Sequence, residues 1–99
     1  MLEKSVENSI KDYLFSKNAY FFKVHGSKFM LPGIPDIVCC YKGRFIGIEV
    51  KAPGKLYNQS DYQVIHMENI RKAGGIYLLT DNLLDVELLL EDIDKCQNG

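Results

Sequence analysis

Asp36, Glu49 and Lys51 stand in a stretch, GIPDIVCCYKGRFIGIEVK (33–51), that is otherwise rich in Ile, Val, Phe and Tyr. Two carboxylates and an ammonium are the groups that hold a hard divalent cation and set a fixed positive charge beside it. Whether they act together depends on the chain between them. Lys42-Gly43 reads as a two-residue hairpin loop, which pairs Tyr41 with Arg44. Counting outward sets Val38 opposite Gly47 and Asp36 opposite Glu49. The 41/44 pair is hydrogen-bonded and pairs alternate, so the two acids fall on a non-hydrogen-bonded pair with Cα atoms roughly 4.5 Å apart. Lys51, two residues beyond Glu49, points to the same face. Facing carboxylates in a sheet repel, and apolar surroundings raise the cost. A Mg²⁺ or Mn²⁺ ion offsets it directly, since both take carboxylate oxygens. Gly47 is expected to leave room on that face, between the acids and Phe45. The competing reading is a surface Glu49–Lys51 ion pair, with Asp36 a turn residue after Pro35.

The elements that must position these residues follow from periodicity and breakers. Leu2, Val6, Ile10, Tyr13 and Leu14 form one helical stripe over 2–17, with Glu7 at its margin. Lys17-Asn18 ends it. AYFFKV (19–24) reads as a strand, followed by the polar loop HGSKFMLPG and then the two strands of the hairpin. APGKLYNQS is a loop with Pro53-Gly54 as its breaker. Ser60 to Ala73 reads as a second helix stopped by Gly74-Gly75, IYLLT (76–80) as a buried strand, and 83–93 as a closing helix. The order is α-β-β-β-α-β-α. The third strand, second helix and fourth strand form a βαβ unit, which makes strands three and four parallel with a right-handed crossover. The first three strands are joined too closely for such crossovers and form an antiparallel meander. The expectation is an α/β fold, a small mixed sheet flanked by helices, in a single domain spanning 1–99.

Composition bounds the function class. The 99 residues are 46% hydrophobic and 25% charged, the balance of one globular domain. No window has the run of apolar residues that a membrane span needs, and the charged N-terminus MLEKSVENSI lacks an apolar signal core. Three cysteines cannot all pair with one another. Cys39 and Cys40 are adjacent on a strand and point to opposite faces, so they read as small buried hydrophobes in a reducing, cytoplasmic setting. The net charge of −1 hides an asymmetry: residues 1–80 carry 11 Lys and Arg against 7 Asp and Glu, whereas residues 81–99 carry one Lys against 6 acids. Seven basic residues and two acids lie from Lys17 to Lys55. That middle suits an anionic partner, and the acidic tail is expected to face away from it.

Taken together, GIPD (33–36), then EVK (49–51) thirteen residues after the Asp, resembles the PD-(D/E)XK nuclease signature. The wider string KVHGS…GIPDIV…KGRFIGIEVKAPGK…Q…AGG resembles the VRR-NUC branch of that superfamily, in its stand-alone phage and bacterial form. The resemblance covers roughly residues 3–90 and includes the element order, so it implies the restriction-endonuclease-like αβββαβ core. It implies that Asp36, Glu49 and the Val50 carbonyl are metal ligands and that Lys51 orients the attacking water or steadies charge on phosphorus. Glu7 would complete the metal shell, with Glu3, one turn away, as the alternative. Gln63 would lie near the site at the start of the second helix. Its spacing in Ser60-Asp-Tyr-Gln63 is equally that of a capping box. Lys23 would sit beside the pocket and meet a phosphate. His25 and His66 are assigned no role as ligands.

The activity so implied is Mg²⁺- or Mn²⁺-dependent hydrolysis of DNA phosphodiesters, leaving a 5′-phosphate and a 3′-hydroxyl. The chain has no spare domain or recognition helix for base readout, and Lys and Arg contacts to phosphate give affinity rather than sequence choice. Branched DNA, such as flaps and Holliday junctions, is the expected substrate. Paired cuts on a four-way junction call for a two-fold dimer. YFF (20–22) and FML (29–31) supply apolar side chains for such a contact. The competing expectations are a nucleic-acid-binding module without catalysis, a nuclease of flaps or linear ends, and a partner-binding protein whose exposed surface is the acidic last helix.

Overall fold

The computed structural model describes residues 2–26 and 28–98. Among them the order is α1 (Glu3–Ser16), β1 (Tyr20–Lys23), β2 (Ile37–Tyr41), β3 (Arg44–Val50), α2 (Asp61–Lys72), β4 (Ile76–Thr80) and α3 (Leu83–Asn98). The strands form one sheet in the order β1-β2-β3-β4. β1, β2 and β3 are antiparallel, and β3 and β4 are parallel, as the chain pattern requires. No helix among the described residues is long and apolar enough to cross a membrane.

Local chemistry sets the boundaries. Asn18 takes a left-handed conformation, with φ 59°, just after α1, and the amides of Lys17, Asn18 and Ala19 close on the last α1 carbonyls. Lys42 and Gly43 both have positive φ, 49° and 80°, which is the turn whose twist matches a hairpin. The register is the one counted from the sequence: Tyr41 opposite Arg44, Val38 opposite Gly47 and Ile37 opposite Ile48. Ser60 caps α2, with its hydroxyl accepting from the Gln63 amide and the Gln63 side chain accepting from the Ser60 amide. α3 runs to Asn98 rather than ending at 93, because neither Gly nor Pro interrupts it and Lys95 suits its last turn.

The sheet has two unlike faces. On one, Ile37, Cys39, Ile46, Ile48 and Val50 pack with Val6, Ile10 and Leu14 of α1 and Val86, Leu90 and Ile93 of α3 into a single buried core. On the other face α2 lies over β3 and β4. There Ile70 and Pro35 close on Gly47: a Cβ at this glycine would stand 3.0 Å from Pro35 and 3.1 Å from Ile70. The room expected beside the acids at Gly47 is therefore filled by packing. The β1 half of this face carries Tyr20 and Phe22, which are 72% and 48% exposed and meet edge to face at 6.4 Å.

The acidic tail does not face away as a unit. Asp94 lies at the hairpin turn, where its carboxylate meets Lys17, Lys42 and the Tyr41 hydroxyl. Asp81 and Asp85 lie at the opposite end, around Thr80, which pairs with Val50.

Candidate active site

The ends of β2 and β3 away from the hairpin turn hold the acids. β2 begins at Ile37, and Asp36 just before it bends out of the ladder. Its backbone carbonyl still accepts from Val24 at 2.8 Å, while its Oδ2 accepts from the Val50 amide at 2.7 Å. Asp36 thus replaces with a carboxylate the carbonyl that a continuing strand would offer. In a strand, the N–H and C=O of one residue point to the same side. The Val50 carbonyl therefore faces the Asp36 side as its amide does.

Glu49 follows the parity of the hairpin onto the α2 face and is 4% exposed. Its Oε2 accepts from Gln63 Nε2 at 2.7 Å and lies 3.6 Å from Lys51 Nζ. Its Oε1 is buried with no hydrogen-bond partner among the described residues. Burial and the neighbouring Asp36 charge push the Glu49 carboxyl up to about 8, against the pull of Lys51. The expected cross-strand pairing of Asp36 with Glu49 is not formed, because the ladder ends at Ile37 and Ile48, but the Asp36 charge still raises the Glu49 carboxyl as expected of neighbouring acids. The surface reading of the Glu49–Lys51 pair is not met, because both side chains are buried.

Gln63 resolves its two expected roles by filling both. Its Oε1 accepts from the Ser60 amide at 2.9 Å and from Lys51 Nζ at 3.1 Å, while its Nε2 reaches Glu49. One amide side chain closes the helix and fixes the orientations of Glu49 and Lys51. α2 itself is pressed onto the loop before Asp36. Gly33 has φ 84°, and a Cβ there would fall 2.5 Å from the Tyr62 carbonyl carbon. Only glycine permits that approach.

Glu7 lies on the other side of Asp36. It is 5% exposed, whereas Glu3 is exposed, so Glu7 is the helix acid that approaches the site. Lys23 Nζ stands between the two acids, 2.6 Å from Glu7 Oε1 and 3.6 Å from Asp36 Oδ1. Burial pushes Glu7 up, but Lys23, with Lys11 and Lys4, outweighs it and holds the carboxyl below its ordinary value. Lys23 is thus committed to two carboxylates rather than presented to a phosphate. Glu7 is not free to complete a metal shell while that ammonium stands there.

These donors can be tested against a hard cation. Among the described residues no three His, Cys, Asp or Glu side chains gather into a ready metal group. The orphaned Glu49 oxygen, the Asp36 carboxylate and the Val50 carbonyl nevertheless make an all-oxygen set, and Mg²⁺ is usually held by only one or two carboxylates with water and phosphate completing the shell. The set fits such an ion, and Glu7 could join only if Lys23 moved aside.

The site also includes a residue that the sequence reading passed over. Tyr77 pairs with Gly47 and is 5% exposed, with its hydroxyl accepting from Gln59 at 3.3 Å. Burial, with the charges of Glu49 and Asp36, pushes its phenol up to about 12. The signal was parity, since Gly47 and Glu49 share a face. His25 is exposed, and His66 lines a hollow with Phe45 and Ile70 whose lining includes none of the acids. No family model matches the chain, and no curated protein matches it in sequence.

Proposed function

We propose that the chain is a metal-dependent DNA endonuclease of the VRR-NUC type within the PD-(D/E)XK superfamily, acting on branched DNA as a homodimer. One observation carries this reading. At one end of the sheet, Asp36, Glu49 and Lys51 converge with a buried Glu49 oxygen that has no hydrogen-bond partner among the described residues. A chain gains little in stability from that arrangement, since a buried carboxylate oxygen left without a hydrogen bond costs desolvation that its Lys51 and Gln63 contacts on the other oxygen do not recover. It gains a place for a cation and an anionic substrate.

Asp36, Glu49 and the Val50 carbonyl are the residues that would hold Mg²⁺ or Mn²⁺. A bound divalent ion supplies charge neutralisation at the phosphate and a more acidic water. The chain's own contribution is positional. Gln63 holds the Lys51 ammonium beside Glu49, where a fixed positive charge opposes the negative charge that grows on phosphoryl oxygens. Lys23, between Glu7 and Asp36, favours the ionised form of Glu7. Two-fold pairing is supported by the exposed aromatic pair Tyr20 and Phe22 on the uncovered half of the sheet.

A second reading is a DNA-binding module without cleavage, favoured by the Lys23 ammonium that already neutralises Glu7 and Asp36. The test is incubation of the pure protein with four-way junction, flap, linear and supercoiled DNA in Mg²⁺, Mn²⁺ or EDTA. Metal-dependent nicking of the junction before the linear duplex is the expected result. Binding without nicking in either metal would favour the module, and preferred cutting of flaps or ends would reassign the substrate.

A further inference from the structure

The loop between β1 and β2 presents large apolar side chains to solvent beside the acids. Phe29 is 88% exposed, Leu31 69% and Met30 40%. Met30 and Leu31 line the same hollow of about 250 Å³ as Asp36. The loop is anchored where Gly33 presses on the backbone of Tyr62 and Gln63, so its position relative to the site is fixed at that end. Of the three lysines in residues 17–35, Lys17 pairs with Asp94 at the far end of the sheet and Lys23 with Glu7 and Asp36, so Lys28 is the cation that the loop itself contributes. Lys28 Nζ stands 5.2 Å from the centroid of the Phe29 ring.

An exposed, cation-flanked aromatic that directly precedes two residues lining the Asp36 hollow has a natural complement in an unstacked nucleobase. Aromatic rings stack on any base face, and apolar side chains wedge between base steps where the duplex is already open. A continuous duplex offers no such face, whereas the branch point of a fork or junction does. We propose that residues Lys28 to Leu31 form a base-stacking wedge, with Phe29 as the principal contact, that selects DNA with an unpaired base near the scissile phosphate. The inference rests on the nuclease reading and adds the origin of its preference for branched DNA.

The test uses the full chain. A fork with 2-aminopurine at the first unpaired position, and a matched duplex, are titrated with protein carrying Asp36→Ala, so that the DNA stays intact. Phe29 stacking should quench the probe on the fork. Adding Phe29→Ala should remove the quench and weaken fork binding roughly 5- to 150-fold, the range for loss of one base–aromatic stack. It should leave duplex affinity unchanged, and Phe29→Tyr should restore the fork signal. Because Phe29 is exposed, unchanged melting will verify that the variants fold. Equal loss on fork and duplex, or no loss on either, overturns the wedge. So does conversion of a dimer to a monomer by Phe29→Ala in light scattering, which would make the loop a subunit contact. If the otherwise unmodified protein cuts branched DNA but Phe29→Ala cuts it equally well, only the wedge fails. If that protein neither binds nor cuts any DNA, the nuclease reading fails and the wedge with it.

Discussion

Glu49 is buried beside Asp36, and one of its oxygens has no hydrogen bond among the described residues. Above about pH 8, where its raised carboxyl is ionised, removing the charge should therefore relieve the fold. Glu49→Gln is expected to melt no lower than wild type in EDTA, and a drop of several degrees would mean that the carboxylate is structural. A cation that binds only the folded protein stabilises it by mass action. Mn²⁺ should raise the melting temperature of wild type but not of Glu49→Ala, and a rise that survives would put the ion elsewhere. The neighbourhood of the acids was legible in the sequence because a two-residue turn fixes the pairing by counting as far as Ile37 and Ile48, whereas the bend that takes Asp36 out of the ladder was not. Lys23 was not legible as their partner. Its register against Ile37 is set across an irregular loop from Val24 to Asp36, where parity cannot be counted. Nor could the sequence show that Pro35 would fold back over Gly47.

At the scale of elements, the start of α2 is coupled to the site through Gln63. Ser60→Ala removes a helix cap and should cost about 1 kcal/mol of stability, with cleavage largely kept. Gln63→Ala removes the same reciprocal cap and also frees Glu49 and Lys51, so it should lower cleavage far more than Ser60→Ala at comparable stability. Equal cleavage by the two variants would confine Gln63 to capping. At the opposite end of the sheet Asp94 joins α3 to the hairpin turn and the end of α1. Hydrogen bonds from Lys42 and Tyr41, then Lys17, lower its carboxyl to about 2 from an ordinary 3.8. A depressed acid contributes stability above its unfolded value, and that contribution is lost as pH falls from about 3.8 toward about 2. Wild type should therefore lose its advantage over Asp94→Asn across that window in thermal melts, and parallel curves would remove the role. Element order was readable because each boundary carries its own breaker or cap. The end of α3 was misjudged because its last turn loses apolar periodicity while keeping residues that a helix accepts.

At the scale of the molecule, the acids gathered at one end of the sheet would give the proposed nuclease one site per chain. The aromatic side chains of Tyr20 and Phe22 stay outside its core, as do Phe29 and Leu31. These four side chains are therefore not absorbed by the domain's own core, and the proposed dimer is open to measurement. Sedimentation should give twice the chain mass at micromolar concentration, with Phe22→Ser shifting it toward the monomer. Paired symmetric nicks on a four-way junction should accompany the dimer. A monomer that leaves unpaired nicks would remove the dimer without touching the chemistry. The central claim is that Asp36, Glu49 and Lys51 form one hydrolytic site, and the direct measurement is cleavage of a junction in Mn²⁺ by wild type and by Asp36→Ala, both shown to be folded. Metal-dependent nicking by wild type that is almost abolished in Asp36→Ala is the predicted result, and equal cleavage by the two proteins would contradict it.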